Sequence, residues 1–178
     1  MIYKRLIQDY NAGRLYISYL VSTDDLNHAL SEIYKFLVEK IFQDHSQLNK
    51  NEIAKYSYPD LLLCEKEELT AKNITVEQIR KLREFIHKSS VISGHKVGII
   101  SPADLMNDNA ANSCLKMLED TPANSLLILV TSLPAALLPT IRSRCARISY
   151  HFDESSPVIN NDYQKFLQIF SKDRKSVV

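Results

Sequence analysis

Apolar residues in this chain fall into short unbroken runs, separated by longer stretches in which they recur every three or four positions. The runs lie at 15–21 (LYISYLV), 58–64 (YPDLLLC), 96–101 (KVGIIS), 125–131 (SLLILVT) and 146–152 (ARISYHF), and each predicts a strand. Two of them, 96–101 and 125–131, are almost continuously apolar, as strands covered on both faces must be. Between the first two runs, Leu26, Leu30, Ile33, Leu37 and Ile41 keep helical spacing, with Asp24 and Asp25 placed in the first turn. A second helix opens on Thr75 and Gln78, a T-x-x-Q capping box, and shows Val76, Ile79, Leu82 and Ile86 on one face. A third is expected after Asp108 as N-cap, with Ala111, Cys114, Leu115 and Leu118 facing inward.

Strands separated by helices imply right-handed crossovers, so the fold class is α/β, three layers around a five-stranded parallel sheet. Residues 1–152 make up the expected core, with 153–178 as a linker (DESSPVINND) and a short amphipathic helical piece (YQKFLQIF). At 178 residues the chain suits one domain with a sizeable single core.

Composition narrows the function classes. No apolar run approaches the roughly 18 residues needed to span a bilayer, and MIYKRLIQDYNAGRL lacks the apolar core of a secretory signal, so a cytoplasmic protein without membrane contact is expected. Twenty-two Lys and Arg stand against 21 Asp and Glu, which leaves no general attraction to a phosphate backbone. Cys64, Cys114 and Cys145 are widely spaced in the chain and make no C-x-x-C pair, so neither a disulfide framework nor a metal site is expected, and Cys114 reads as a buried small hydrophobe.

The turn after the first strand is where a nucleotide-binding fold of this class carries G-x-x-x-x-G-K-S/T, whose glycines let N–H groups curl around phosphate while the lysine neutralises it. Here it reads Ser22-Thr23-Asp24-Asp25-Leu26-Asn27-His28. Gly13, Gly94 and Gly98 are the chain's three glycines, and none lies there. Asn27 stands where the last glycine belongs, and His28 where the lysine belongs. Asp24 and Asp25 bring negative charge to a helix end that would otherwise attract an anion. The third strand, which in such ATPases ends in acidic residues for Mg²⁺, ends here in Ser101 and Pro102. Asp104 follows, with a capping role in the next helix as the expectation. No cofactor is expected, and hydrolysis of ATP by this chain alone is not.

YPDLLL, ITVEQIRKLREFI, and the long stretch from KVGIISPADLMNDNAANSCLKMLEDTPANSLLILV to LLPTIRSRC together resemble the delta-prime subunits of bacterial DNA polymerase III clamp loaders, most clearly over residues 55–150. The resemblance implies an AAA+ module with a degenerate phosphate loop that does not itself hydrolyse ATP. It implies a place in a hetero-oligomeric ring with the clamp-loader ATPase subunits and the delta subunit, reaching the sliding clamp and primed DNA through the complex. In that family the S-R-C motif, here Ser143-Arg144-Cys145, supplies an arginine to the γ-phosphate held by a neighbouring subunit. Arg144 would be that finger, with Ser143 and Cys145 as its motif neighbours, and Pro139 and Thr140 would start the short helix presenting it. The bland alternative pairs Arg144 with a surface carboxylate. Two departures stand out: only Cys64 lies near the place of the four-cysteine zinc module of many relatives, so no zinc is expected, and 153–178 are expected to be at most a rudiment of the lid that longer relatives carry before their collar.

Other functions stay open on the residues. A divergent ATP-binding ATPase is one, and an interaction module outside the ring is another. Arg80, Lys81, Arg83, Lys88 and Lys96 offer a candidate basic patch, although a solvated helix face explains most of them equally well. Arg142 reads as a solvated charge or a helper to Arg144. Thr131, at the end of strand four, is expected to satisfy local backbone groups. His28, His87, His95 and His151 have no serine or cysteine partner at a telling spacing.

Overall fold

The structure, a computed structural model, describes residues 1–42, 59–66 and 72–152. The expected linker and helical piece at 153–178 lie outside the described residues. The elements are α1 (Ile2–Asn11), β1 (Ser18–Thr23), α2 (Leu26–Phe36), β2 (Leu61–Cys64), α3 (Val76–Ile86), β3 (Lys96–Ile100), α4 (Asp108–Asp120), β4 (Ser125–Thr131), α5 (Pro139–Arg144) and β5 (Ala146–Tyr150). All pairings in the sheet are parallel, in the order β2-β3-β4-β1-β5. Consecutive strands β4 and β5 therefore sit on either side of β1, and the sheet is the five-stranded parallel one that the alternation of runs predicts.

Burial along the strands explains their composition. Every residue of β3 and β4 is buried, whereas the edge strands β2 and β5 are only partly covered. Alternation sends Leu126, Ile128 and Val130 to one face and Leu127 and Leu129 to the other. The first set packs with Ile2 and Leu6 of α1 and Ile33 and Phe36 of α2. The second packs with Ile79 and Leu82 of α3, Cys114 and Met117 of α4 and Ile141 of α5. Two helical layers thus sandwich the sheet. Gly98 sits where α3 closes on β3: a Cβ there would lie 2.8 Å from Leu127 Cδ2 and 2.9 Å from Leu82 Cδ1.

Side-chain caps set the starts of α2, α3 and α4. Thr75 accepts from the Gln78 N–H while the Gln78 side chain accepts from the Thr75 N–H, so the capping box forms as expected. For α4 the expectation needs correction by one residue. Asn107, not Asp108, is the N-cap and accepts from the Ala110 N–H at 2.8 Å, leaving Asp108 in the first turn beside the positive end of the dipole. Along α4, Ala110 and Met117 are buried with Ala111 and Cys114, while Leu115 and Leu118 are half-buried. The apolar stripe of α2 runs on through Leu37 and Ile41 as a π-helical turn (Leu37–Ile41).

α1 was not expected. Ile2 and Leu6 form its buried row, the Tyr3 N–H donates to the buried Glu32 carboxylate on α2 at 3.1 Å, and Gly13 at φ 63° lets the chain turn back toward β1. Strand ends also shift: β1 starts at Ser18 and extends to Thr23, β2 starts at Leu61, and β5 stops at Tyr150. No helix of the described residues is long and apolar enough to cross a membrane.

Candidate functional site

Two places carry the residues singled out above, one at the carboxyl end of β1 and one at the amino end of β5. The first is the corner between β1 and α2. Asp25 is the N-cap of α2 and accepts from the His28 N–H at 3.0 Å. Asp24 is not in the first turn, as expected, but outside the helix, because β1 runs to Thr23 and leaves it at the junction. Its carboxylate accepts from the Phe152 N–H at 2.9 Å and approaches His151 at 3.4 Å. The Phe152 N–H, chiefly, holds the Asp24 carboxyl below its ordinary range, with His151 helping. The Phe152 ring lies over His28, centroids 3.8 Å apart, and Tyr150 packs on Phe152 edge-to-face at 4.6 Å. Beside them the Ser22 hydroxyl donates to that of Ser149 at 2.9 Å. A carboxylate and two stacked rings therefore occupy the mouth of the turn, and residues 22–28 include neither glycine nor lysine.

At the end of β3 the chain continues through Ser101, which is buried, and a cis Ser101–Pro102 bond. Asp104 does not cap α4, since a separate 3-10 turn (Ala103–Leu105) holds it and Asn107 has taken the cap. It accepts instead from the Thr131 hydroxyl at the end of β4, and Thr131 in turn accepts from the Leu133 N–H at 3.0 Å. Thr131 thus satisfies a local backbone group, as expected, and ties β4 to the turn after β3.

The second place is α5 and its junction with β5. Pro139 opens the helix with its φ preset, Ile141 is fully buried, and Cys145 is buried immediately before β5. With both neighbours in the core, Ser143 and Arg144 point to the outside. The Ser143 hydroxyl donates to the Thr140 carbonyl at 3.0 Å. Arg144 donates from Nη1 to the same carbonyl at 3.2 Å and from Nη2 to Glu119 Oε1, on the last turn of α4, at 2.8 Å. The side chains of Arg144 and Glu119 are 40% and 50% exposed, so the guanidinium is open to a partner on its remaining edges. The surface carboxylate of the bland alternative does exist, and it is Glu119. Arg142 is half-buried, and its Nε has no hydrogen-bond partner. Burial pushes the Cys145 thiol up to about 11, with Arg147 opposing, and pushes that of Cys114 up as well. Cys64, Cys114 and Cys145 share one apolar cluster despite their spacing in the chain.

The basic patch dissolves in three dimensions. Lys96 is 3% exposed and pairs with the fully buried Asp60 at 2.9 Å, and Arg83 is paired with Asp120, while Arg80, Lys81 and Lys88 share their exposed surface with Glu77 and Glu84. The histidines lie apart: His87 is 3.9 Å from Asp120, His95 bonds the Ser93 backbone, and His28 and His151 belong to the β1 corner. Among the described residues no group of three His, Cys, Asp or Glu is placed to hold a metal ion. Sequence reasoning missed Phe152, Glu119 and Asp60. Of these only Glu119, at the end of a long helical pattern, left any signal in the sequence, and nothing there paired it with Arg144.

A five-stranded parallel sheet in this order between two helical layers is a three-layer α/β core. The chain belongs to the DNA polymerase III delta subunit family, whose model matches residues 1–154. It is 41% identical over 95 residues to the DNA polymerase III subunit delta' of Pseudomonas aeruginosa, a match covering 53% of this chain and 29% of that one. To the delta' subunit of Escherichia coli it is 31% identical over 159 residues, covering 83% of this chain and 46% of the relative. The chain thus spans less than half the length of these relatives. In three dimensions it is similar to a DNA polymerase III gamma subunit-related protein of Thermotoga maritima, with a TM-score of 0.62, 24% identity, and coverage of 90% of this chain and 51% of the other, a likeness of fold.

Proposed function

We propose that this chain is the AAA+ core of a clamp-loader delta-prime subunit that does not turn over ATP itself and lends Arg144 to ATP held by a neighbouring ATPase subunit. The observation that carries the reading is the contrast between two ends of the sheet, the carboxyl end of β1 and the amino end of β5. Where its own triphosphate would sit, Asp24 and Asp25 present like charge and Phe152 lies over His28. On α5, by contrast, a permanently charged planar fork stands outside the core, flanked by buried Ile141 and Cys145. Such a fork matches phosphate oxygens bidentately, and arginines supplied across an interface accelerate phosphoryl transfer by about 10³–10⁵. Family membership and delta' relatives support the assignment to the replicative loader, with its ATPase subunits and the delta subunit as partners in a cytoplasmic hetero-oligomer. Sliding clamp and primed DNA are reached through that complex. Residues 1–152 make the core in this reading, and 153–178 contribute a rudimentary lid.

Two measurements test it. In the loader reconstituted with Arg144→Ala, single-turnover hydrolysis at the site that Arg144 serves falls by about 10³ or more. An unchanged rate removes the finger. Calorimetric titration of this chain with Mg-ATP yields no heat of binding, and micromolar affinity would establish a divergent ATP site instead. A chain that fails to co-purify with the ATPase subunits in the presence of clamp and primed DNA would be an interaction module outside the ring.

A further inference from the structure

Arg144 is not a loose surface side chain. Two of its five N–H donors are already engaged, Nη2 by Glu119 Oε1 at 2.8 Å and Nη1 by the Thr140 carbonyl at 3.2 Å. Both supports are themselves anchored. Thr140 belongs to α5, which is pinned by the fully buried Ile141. Glu119 lies on the last turn of α4, two residues past the buried Met117 and beside Asp120, which pairs with Arg83 of α3. The Thr121 hydroxyl closes that helix end by donating to the Met117 carbonyl at 2.6 Å. The carboxyl end of α4 therefore ties α3 and α5 together through adjacent carboxylates, with the backbone of Glu119 fixed by the helix.

We infer that Glu119 is a positioning residue for Arg144, holding the guanidinium in its presenting rotamer before a phosphate arrives. The inference rests on the finger reading above. Three N–H donors remain, including Nε–H and an Nη–H on adjacent nitrogens, so the held guanidinium still offers an edge for bidentate phosphate binding. Freezing a free arginine side chain costs up to about thirtyfold in rate or affinity, and a prior anchor removes part of that cost. A carboxylate bond worth no more than an exposed ion pair also adapts readily when the partner docks.

The test uses the full chain in the reconstituted loader, with single-turnover ATP hydrolysis measured for Glu119→Ala, Glu119→Gln, Arg144→Ala and the Glu119→Ala/Arg144→Ala pair, each first checked for an unchanged melting curve. We expect Glu119→Ala to lower kcat by about three- to fivefold with KM for ATP within about twofold. Glu119→Gln, which still accepts a hydrogen bond from Nη2, stays within about twofold of the unaltered protein. The double variant matches Arg144→Ala alone, since a positioning residue has nothing left to position. A Glu119→Ala rate that is unchanged or raised overturns the inference, as does a double variant slower than Arg144→Ala. If Arg144→Ala itself is fast, the finger reading falls and this inference with it. If Arg144→Ala is slow and Glu119→Ala is not, only the positioning role is lost.

Discussion

Replacing Asp60 with alanine removes a buried carboxylate that holds several groups at once. Asp60 is fully buried at the start of β2, and its carboxylate is 2.9 Å from the Lys96 ammonium at the start of β3. It also accepts from the N–H groups of Val91, Ile92 and Ser93 at 2.7, 2.8 and 2.9 Å, and from the Ser93 hydroxyl at 3.1 Å. Among the described residues, the further partners of Lys96 are the Pro59 carbonyl, at 2.9 Å, and the face of Phe85, 4.4 Å to the centroid. Removing the carboxylate strands a buried ammonium, a change that costs about 3–5 kcal/mol. The orphaned N–H groups would add about 1–3 kcal/mol each if they stayed buried, but the loop carrying the exposed Val91 can turn them to water. We therefore expect a loss of about 4 kcal/mol in urea unfolding, a large share of the roughly 5–15 kcal/mol that holds a domain together. Adding Lys96→Met to Asp60→Ala recovers part of the loss, since it removes the stranded charge.

The pH dependence gives an independent reading of the same group. Burial alone would raise the Asp60 carboxyl, but the N–H groups of Ser93 and Val91, the Lys96 ammonium and the Ile92 N–H outweigh it and hold it well below the ordinary carboxylate range. A carboxyl depressed in the folded state contributes its full stabilisation above the unfolded value of about 3.9 and loses it as pH falls through the folded value. The acid limb of the stability curve below about pH 4 should therefore be shallower in Asp60→Ala. A variant that loses less than about 1 kcal/mol, or that keeps the same acid limb, would refute the ion-pair argument.

Three further outcomes are expected. Gly98→Ala forces a Cβ to within 2.8 Å of Leu127 and 2.9 Å of Leu82, and overpacking of this kind costs about 1–3 kcal/mol, read as a lowered melting temperature. His28→Lys restores the lysine of a phosphate loop but leaves Asp24, Asp25 and Phe152 in place, so calorimetry should still detect no Mg-ATP binding. Cys145, with its thiol raised to about 11 by burial, should react slowly with Ellman's reagent in the native protein at pH 8 and quickly once urea unfolds it; fast native labelling would contradict its burial.

Strand runs and capping residues were legible because they depend on neighbours in the chain. Continuous apolar stretches marked β3 and β4 as doubly covered, and the Thr75–Gln78 box marked the start of α3. α1 was legible too, in the spacing of Ile2 and Leu6, yet that pattern was read only against a signal peptide. Cap identities slipped by one residue at α4, where Asn107 and Asp108 are both capable and the backbone entry angle chooses between them. The missing glycines and lysine after β1 could be read directly, and so could the S-R-C turn.

What the chain order by itself determined is the local grammar: five strands, the helices between them, an altered turn after β1, and an arginine placed one residue before a buried cysteine. Only the tertiary structure decided which charges meet. Lys96 looked like part of a basic surface until β2 brought Asp60 beneath it, and Arg144 found Glu119 across 25 residues of chain. Phe152 reached the β1 corner because β5 pairs with β1, not with its predecessor β4. Periodicity reports which face of an element is apolar, since that follows from backbone geometry and the aversion of hydrocarbon to water. Pairings between distant residues carry no such period, because they arise only when the layers close and fix one element against another.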